Sequence, residues 1–129
     1  MANKSIQMKD GSDNVYPVST VLENISSHFV FQPSSGDGFA TVFLDKVNKI
    51  IRGSVFAYNI PPVSNATPIY KIDAGYRPSG NYGYPAIIMI NGVSYTFSGG
   101  IYSNGDIRQQ LSSAATATGF VMSFEYPTA

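Results

Sequence analysis

The stretch "AIIMINGVSYTF", residues 86–97, carries the strongest fold signal in the chain. Its two arms are rich in β-branched and aromatic residues, and Asn91-Gly92 stands between them. A two-residue type I′ turn needs positive φ at both central residues, which Asn and Gly accept at low cost. The stretch therefore predicts a tight antiparallel β-hairpin.

Strand signals continue on both sides of this hairpin. Runs rich in β-branched and aromatic residues occur in "HFVFQ", "FATVFLDKV", "IIRGSVFAYNI", "TPIYKID" and "FVMSFEY", and "IYSNGDI" repeats the Asn-Gly signal. About seven or eight short strands at this spacing are typical of an antiparallel sandwich or barrel. Residues 106–119 fit either a helical turn or a strand followed by a loop. We predict an all-β fold, a jelly-roll-like antiparallel β-sandwich.

The first part of the chain differs from the rest. Residues 1–27 are polar with one amphipathic patch, and a short helix or an extended arm fits that patch equally well. Its apolar residues recur at helical spacing at Val18, Val21, Leu22 and Ile25. We therefore expect an N-terminal arm over 1–27, which docks on a partner or a neighbouring subunit through Val18 and Leu22, and a β-sandwich head over 28–129.

Composition excludes several classes of partner. Only 12% of residues are charged, and eight basic side chains balance eight acidic ones. Binding of nucleic acid or of anionic membranes needs clustered Lys and Arg, so we expect neither partner. The apolar run "AIIMI" is far too short to span a bilayer, so we also expect no membrane insertion. The absence of cysteine fits synthesis in a reducing cytoplasm.

Catalytic residues are scarce. His28 is the only histidine, so a serine nucleophile has no second candidate base and a zinc site has too few ligands. Five of the six aspartates fall beside Gly, Asn or Lys, where Asp usually caps a turn: Asp10, Asp13, Asp37, Asp45 and Asp106. We expect no enzyme activity, no metal and no cofactor.

A loop rich in tyrosine and glycine is the candidate ligand site. The stretch "GYRPSGNYGY", residues 75–84, has no periodic core face, and its glycines permit open backbone conformations. Tyrosine rings offer a flat apolar face and a hydroxyl, as a sugar requires. The expected ligand residues are Tyr76, Arg77, Asn81, Tyr82, Tyr84 and, if the second Asn-Gly turn reaches the same end of the sandwich, Asp106. Alternatively, Tyr76 or Tyr84 plugs the end of the sandwich.

The run "AIIMI" is apolar on both faces, which suggests an oligomer. Ile87 and Met89 point to the face opposite Ala86, Ile88 and Ile90. A sandwich strand with a solvated outer face normally alternates apolar with polar residues. Two interpretations remain open: Ile87 and Met89 pack on a neighbouring subunit, or a loop of the same chain covers them.

Two longer stretches resemble proteins of phage tails. "SIQMKDGSDNVYPVS", residues 5–19, resembles the arm of tail and baseplate proteins, and residues 75–107, "GYRPSGNYGYPAIIMINGVSYTFSGGIYSNGDI", resemble the head of phage tail-fibre and receptor-binding proteins. The resemblance implies a homotrimeric β-sandwich head at the tail tip or baseplate of the virion, made in the host cytoplasm. It also implies adhesion to cell-wall saccharide of a Gram-positive host and contact with other tail or baseplate proteins.

Two other classes of function fit the same residues. A structural adaptor of a phage tail or baseplate would bind a larger assembly through residues 1–27 and have no affinity for saccharide. A bacterial lectin or adhesin module would bind sugar with that arm dispensable.

Overall fold

The computed structural model describes residues 7–9, 15–17, 21–111 and 116–129. In this part of the chain nine strands form one curled antiparallel sheet in the order β3-β5-β6-β11-β8-β9-β10-β7-β4, and β1 pairs with β2 separately. The all-β, antiparallel, sandwich-like class predicted from the sequence is confirmed. The strands are β1 Gln7–Lys9, β2 Val15–Pro17, β3 Leu22–Asn24, β4 Phe29–Phe31, β5 Asp37–Asp45, β6 Ile50–Tyr58, β7 Tyr70–Ile72, β8 Tyr82–Ile90, β9 Val93–Ile101, β10 Asp106–Gln109 and β11 Gly119–Pro127.

The predicted hairpin joins β8 to β9. Asn91 has φ of 50° and Gly92 has φ of 82°, so both central residues have the positive φ that a type I′ turn requires. The register runs from Ile90 opposite Val93 to Tyr82 opposite Ile101. This confirms the strongest local prediction from the sequence.

The second Asn-Gly pair forms a different turn between β9 and β10. Gly105 has φ of 95°, while Asn104 is not among the positive-φ residues. The Gly105 amide donates to the Tyr102 carbonyl (2.8 Å), and the Tyr102 amide donates to the Asp106 carbonyl (2.9 Å). This is the three-residue hairpin connection with a glycine bulge, so the Asn-Gly pair here marks a hairpin of another type.

The core lies on the concave face of the curled sheet. On β6, β8 and β11 every second side chain points into the core. Ile51 and Tyr126 are an example, since they face each other across the β6–β11 ladder and are both buried. The curl also brings β4 towards β5. The Phe31 ring of β4 lies against Gly38 of β5, at the position that a Cβ on this glycine would occupy. The largest fully buried apolar residues are Ile25, Ile51, Ile69, Tyr70, Ile72, Ile88, Ile101, Ile107, Phe120, Met122 and Tyr126.

The sheet begins before residue 28, where the sequence suggested that the head starts. β3 pairs with β5, and the 3₁₀ helix Ser26–His28 leads from it into β4. Ile25 is fully buried in the core, while the outward-facing Leu22 is 40% exposed. Leu22 therefore stays available for a partner, and Val18 lies outside the described residues.

Candidate functional site

β8 and β11 pair over only part of their length, and Pro85 is the reason. Their ladder ends where Met122 faces Ala86, next to Pro85. Even-numbered residues of β8 form the hydrogen-bonded pairs with β9, so odd-numbered residues turn their backbone groups towards β11. Pro85 has no N–H to donate in that direction. Beyond it no further β8–β11 pair forms, and aromatic side chains occupy this region.

Tyr82 and Tyr84 are half-buried and point to the core side of the sheet. The Tyr82 ring centroid lies 6.3 Å from those of Tyr84 and Tyr126, and the Tyr84 ring lies 6.4 Å from Phe124. The Tyr84 hydroxyl donates to the carbonyl of Glu125 at 2.5 Å. Burial, and secondarily the nearby Tyr82 hydroxyl, raises the pKa of Tyr84. Tyr84 therefore fills the space beyond Pro85 and satisfies a backbone carbonyl of β11.

Tyr76 links the 73–81 loop to two other parts of the fold. Its ring stacks on the His28 ring at 4.1 Å between centroids, and His28 Nδ1 lies 3.0 Å from a carboxylate oxygen of Asp73. The Tyr76 carbonyl accepts a hydrogen bond from the Tyr126 hydroxyl at 2.5 Å. Burial raises the pKa of Tyr126, so this hydroxyl keeps its proton and acts as a donor.

Arg77 and Asn81 tie the same loop to its neighbours. Arg77 Nε donates to the Ile72 carbonyl at 2.7 Å, and a Cβ on Gly105 would lie only 2.6 Å from that nitrogen. Asn81 Oδ1 accepts a hydrogen bond from the Ser103 amide at 2.9 Å. The second Asn-Gly turn therefore reaches the same end of the sheet as the tyrosine-rich loop. We call the 73–81 loop, the 102–105 turn and the Tyr82 side chain together the loop–turn surface.

Asp106 also lies at this end, but its carboxylate is occupied. The residue is 4% exposed. Lys71 Nζ donates to Oδ1, while Arg108 Nε and Nη2 donate to Oδ2 at 2.9 and 2.5 Å. Burial by itself raises the pKa of Asp106, but the hydrogen bonds from Lys71 and Arg108 outweigh burial and hold the pKa below its ordinary value. Asp106 thus joins two strands as an ionised carboxylate.

A polar network beside Asp106 was not predicted from the sequence. The Arg108 guanidinium lies 4.7 Å from the Tyr102 ring centroid, a cation–π distance. Gln110 Nε2 donates to the Tyr102 hydroxyl at 3.1 Å, and Gln110 Oε1 accepts from Ser98 Oγ at 2.9 Å. One signal was available, since Asp106 and Arg108 are two apart on a strand and so share a face.

The candidate interface residues differ in exposure. Ile87 is 43% exposed and lines a shallow depression with Pro85, Thr96 and Val121. Met89 is half-buried because its side chain lies against Gly119 of its own chain, where an added Cβ would come within 3.0 Å. An apolar row on β9 was not singled out from the sequence: Val93, Tyr95 and Phe97 are 53%, 45% and 48% exposed.

No group of three or more His, Cys, Asp or Glu that could hold a metal ion occurs among the described residues. The same residues include no helix with the length and hydropathy to cross a membrane. Comparison with protein-family models gives no match, and comparisons with curated proteins and with solved structures give none either.

Proposed function

We propose that this chain is the receptor-binding part of a phage tail tip or baseplate and adheres to cell-wall saccharide of its host through the loop–turn surface. Residues 75–107, which resemble the heads of phage receptor-binding proteins, contribute most of that surface. The proposal includes a virion location, attachment to other tail or baseplate proteins, and a homotrimer whose contact uses the face around Ile87.

One observation carries the adhesion proposal: hydrogen bonds from side chains hold the loop–turn surface in place. Arg77 and Asn81 each use one atom to anchor the loop, and Tyr126 holds it through the Tyr76 carbonyl. A ligand that binds a prearranged surface does not have to order it first, so less of the interaction free energy is lost. This favours a binding surface over a simple connection between strands.

The anchoring leaves groups for a sugar on the same residues. The guanidinium of Arg77 retains its terminal nitrogens, and Asn81 retains its Nδ2 donor, since the anchors use Nε and Oδ1. The half-buried Tyr82 ring packs against the core beside Tyr126, whose hydroxyl holds the Tyr76 carbonyl, and offers an aromatic group for a sugar. The proposed site is shallow, and several copies on one tail would strengthen weak single-site binding through avidity.

The experiment is a fluorescent-fusion binding assay on host cells and on purified wall polysaccharide. Two variants change the ligand groups while keeping an anchoring group within reach. Arg77→Lys removes the terminal guanidinium nitrogens and puts an ammonium donor one bond beyond the Nε position, from where a change of rotamer brings it to the Ile72 carbonyl. Asn81→Asp removes the Nδ2 donor and retains the acceptor for the Ser103 amide. We expect both variants to fold like the wild type and to bind polysaccharide less. Undiminished binding by both, or no binding by the wild type, would contradict the proposal.

A second candidate function is supported by the apolar exposure of the β8–β9 hairpin. An adaptor that holds other tail proteins needs apolar contact surface, and Ile87, Val93, Tyr95 and Phe97 provide it. The two functions separate in the same assay, because an adaptor would bind no polysaccharide in any variant yet would co-purify with tail components.

A further inference from the structure

One edge of β9 has no neighbouring strand over half of its length in the part of the chain that the structure describes. β10 pairs with β9 only from Gly99 to Ile101, and the Gln110 amide extends the contact by one bond to the Ser98 carbonyl. Among the described residues no strand pairs with this edge at 93–97. Because backbone direction alternates along a strand, Thr96 and Ser94 turn their N–H and C=O groups to the same side as Ser98. These groups form an open hydrogen-bonding edge.

This edge lacks the usual protection of edge strands. Natural sheets shield open edges with Lys, Pro or inward-pointing charges, since an open edge pairs readily with another chain. Residues 93–97 contain none of these, and residues 78–105 contain no charged side chain at all. The row formed by Val93, Tyr95 and Phe97 is also about half exposed on the concave face. Both the backbone and one face of the strand therefore remain available for a partner.

We propose that residues 93–97 pair antiparallel with the same residues of a second copy of this chain, about a two-fold axis at Tyr95. In this register Ser94 of each copy faces Thr96 of the other, and both residues direct their backbone groups across the contact. Val93 faces Phe97 of the second copy, and the two Tyr95 side chains meet at the axis. The result is one sheet that continues through both copies.

The sequence of the edge favours a copy of itself as the occupant. "VSYTF" reads apolar, hydroxyl, apolar, hydroxyl, apolar in both directions, so antiparallel pairing about its centre matches each type of side chain with its own type. A two-fold contact requires this self-complementarity, because the same patch serves both partners. The absence of charge also means that two identical edges do not repel each other.

The pairing goes beyond the proposed function and does not depend on saccharide binding. It uses the edge of β9, whereas the proposed three-fold contact uses the face around Ile87. With that contact the simplest closed assembly has six chains, and without it the assembly has two.

The test is site-specific cross-linking, which the cysteine-free chain permits without background. Residues at a non-hydrogen-bonded antiparallel position lie about 4.5 Å apart between Cα atoms, within the range of a disulfide. Tyr95→Cys should therefore oxidise to a covalent dimer about tenfold or more faster than collision alone allows. Phe97→Cys is the matched control, since residue 97 of the second copy lies about 13 Å away along the strand in this register. Val93→Cys should also stay unlinked, and the double variant Val93→Cys/Phe97→Cys should form the dimer again.

A second variant tests the backbone contact without cysteine. The Ser94 amide faces the open edge, and Ser94 does not line the depression around Ile87. Ser94→Pro therefore removes no hydrogen bond that the described residues form within a single chain, but it blocks the pairing. Light scattering should report an even number of chains for the wild type and half that number for this variant, with an unchanged β-type circular dichroism spectrum. Equal cross-linking of Tyr95→Cys and Phe97→Cys, or a monomeric or three-chain wild type, would overturn the proposal.

Discussion

The hydroxyl of Tyr126 in the last strand donates a hydrogen bond to the carbonyl of Tyr76, 50 residues earlier, at 2.5 Å. Tyr126 is 1% exposed, and the bond that joins it to the half-buried Tyr76 is partly shielded from water. Three side chains therefore hold the tyrosine-rich loop: Tyr126 of the strand β11, and Arg77 and Asn81 of the loop itself. Loop geometry and strand packing are coupled at this end of the molecule.

Removing that hydroxyl should loosen the loop. Tyr126→Phe keeps the ring contacts but leaves the Tyr76 carbonyl without this donor, so we expect the free energy of unfolding to fall by about 1–2 kcal/mol. Urea denaturation measures the loss, and hydrogen exchange should rise in the 73–81 loop. Tyr58→Phe, on the exposed outer face of β6, is the control and should change neither quantity. Equal effects of the two variants would show that the Tyr126 bond contributes nothing.

The Asp106 cluster should make the fold sensitive to acid. The folded-state pKa of Asp106 lies below its ordinary value, because the hydrogen bonds from Lys71 and Arg108 outweigh burial. The ionised carboxylate therefore adds stability above the unfolded-state pKa of about 4, and this stability is lost as pH falls through the lower folded-state value. Thermal unfolding at a series of pH values should show the melting temperature falling below about pH 4.

The variant Asp106→Asn separates this cluster from other carboxylates. It should lower the free energy of unfolding at neutral pH by about 1–3 kcal/mol and make the acid dependence shallower. Part of the dependence should remain, because the backbone hydrogen bond from Asn48 and others lower the pKa of Asp45. An unchanged pH profile in Asp106→Asn would contradict this role.

Two glycines should differ in how much stability is lost when each is replaced by alanine. A Cβ on Gly53 would meet the Thr41 carbonyl oxygen at 2.2 Å and the Val42 Cα at 2.7 Å, both backbone atoms that cannot turn aside. Gly53→Ala should therefore destabilise the fold by about 1–3 kcal/mol. Nothing lies within 4 Å of the same position on Gly80, so Gly80→Ala should change stability by less than about 0.5 kcal/mol. Chemical denaturation that ranked the two variants equally would show that Gly53 does not need its close contact.

Ile87 tests the proposed trimer. The side chain is 43% exposed beside a shallow apolar depression, so a glutamate there should fold but place a charge in the three-fold contact. We expect Ile87→Glu to abolish the three-fold contact, which light scattering should report as a lower mass of the assembly. Val47→Glu, at a more exposed turn position, should retain the wild-type mass. An Ile87→Glu variant with wild-type mass would remove Ile87 from any interface.

Local chemistry explains why much of the fold was predictable from the sequence. Asn91-Gly92 specifies its turn through the φ preferences of two residues. Asp45 caps the turn between β5 and β6 by accepting hydrogen bonds from the Val47 and Asn48 amides. Neither turn needs contacts with distant parts of the chain. The start of the sheet was harder to predict. β3 is only three residues long, and its pairing with β5 is what makes it a strand.

The site was less predictable because its contacts join distant parts of the chain. Asp106 looked free beside a turn, but Lys71, 35 residues earlier, occupies its carboxylate. Pro85 ends a ladder only because its nitrogen faces β11, which depends on the register of both neighbouring strands. In "VSYTF" the alternation predicts a strand with one apolar face, but whether another layer covers that face depends on the curl of the whole sheet.

The central claim, adhesion through the loop–turn surface, is tested most directly by the affinity of Tyr82→Leu for purified wall polysaccharide. Leucine keeps apolar packing against Tyr84 and Tyr126 but removes the aromatic face. Tyr58→Leu is the matched control, since Tyr58 is an exposed tyrosine on another strand. We predict that Tyr82→Leu weakens binding by about 1 kcal/mol, or about fivefold in Kd, while Tyr58→Leu binds like the wild type. Wild-type affinity in a correctly folded Tyr82→Leu, or an equal loss in Tyr58→Leu, would contradict the claim.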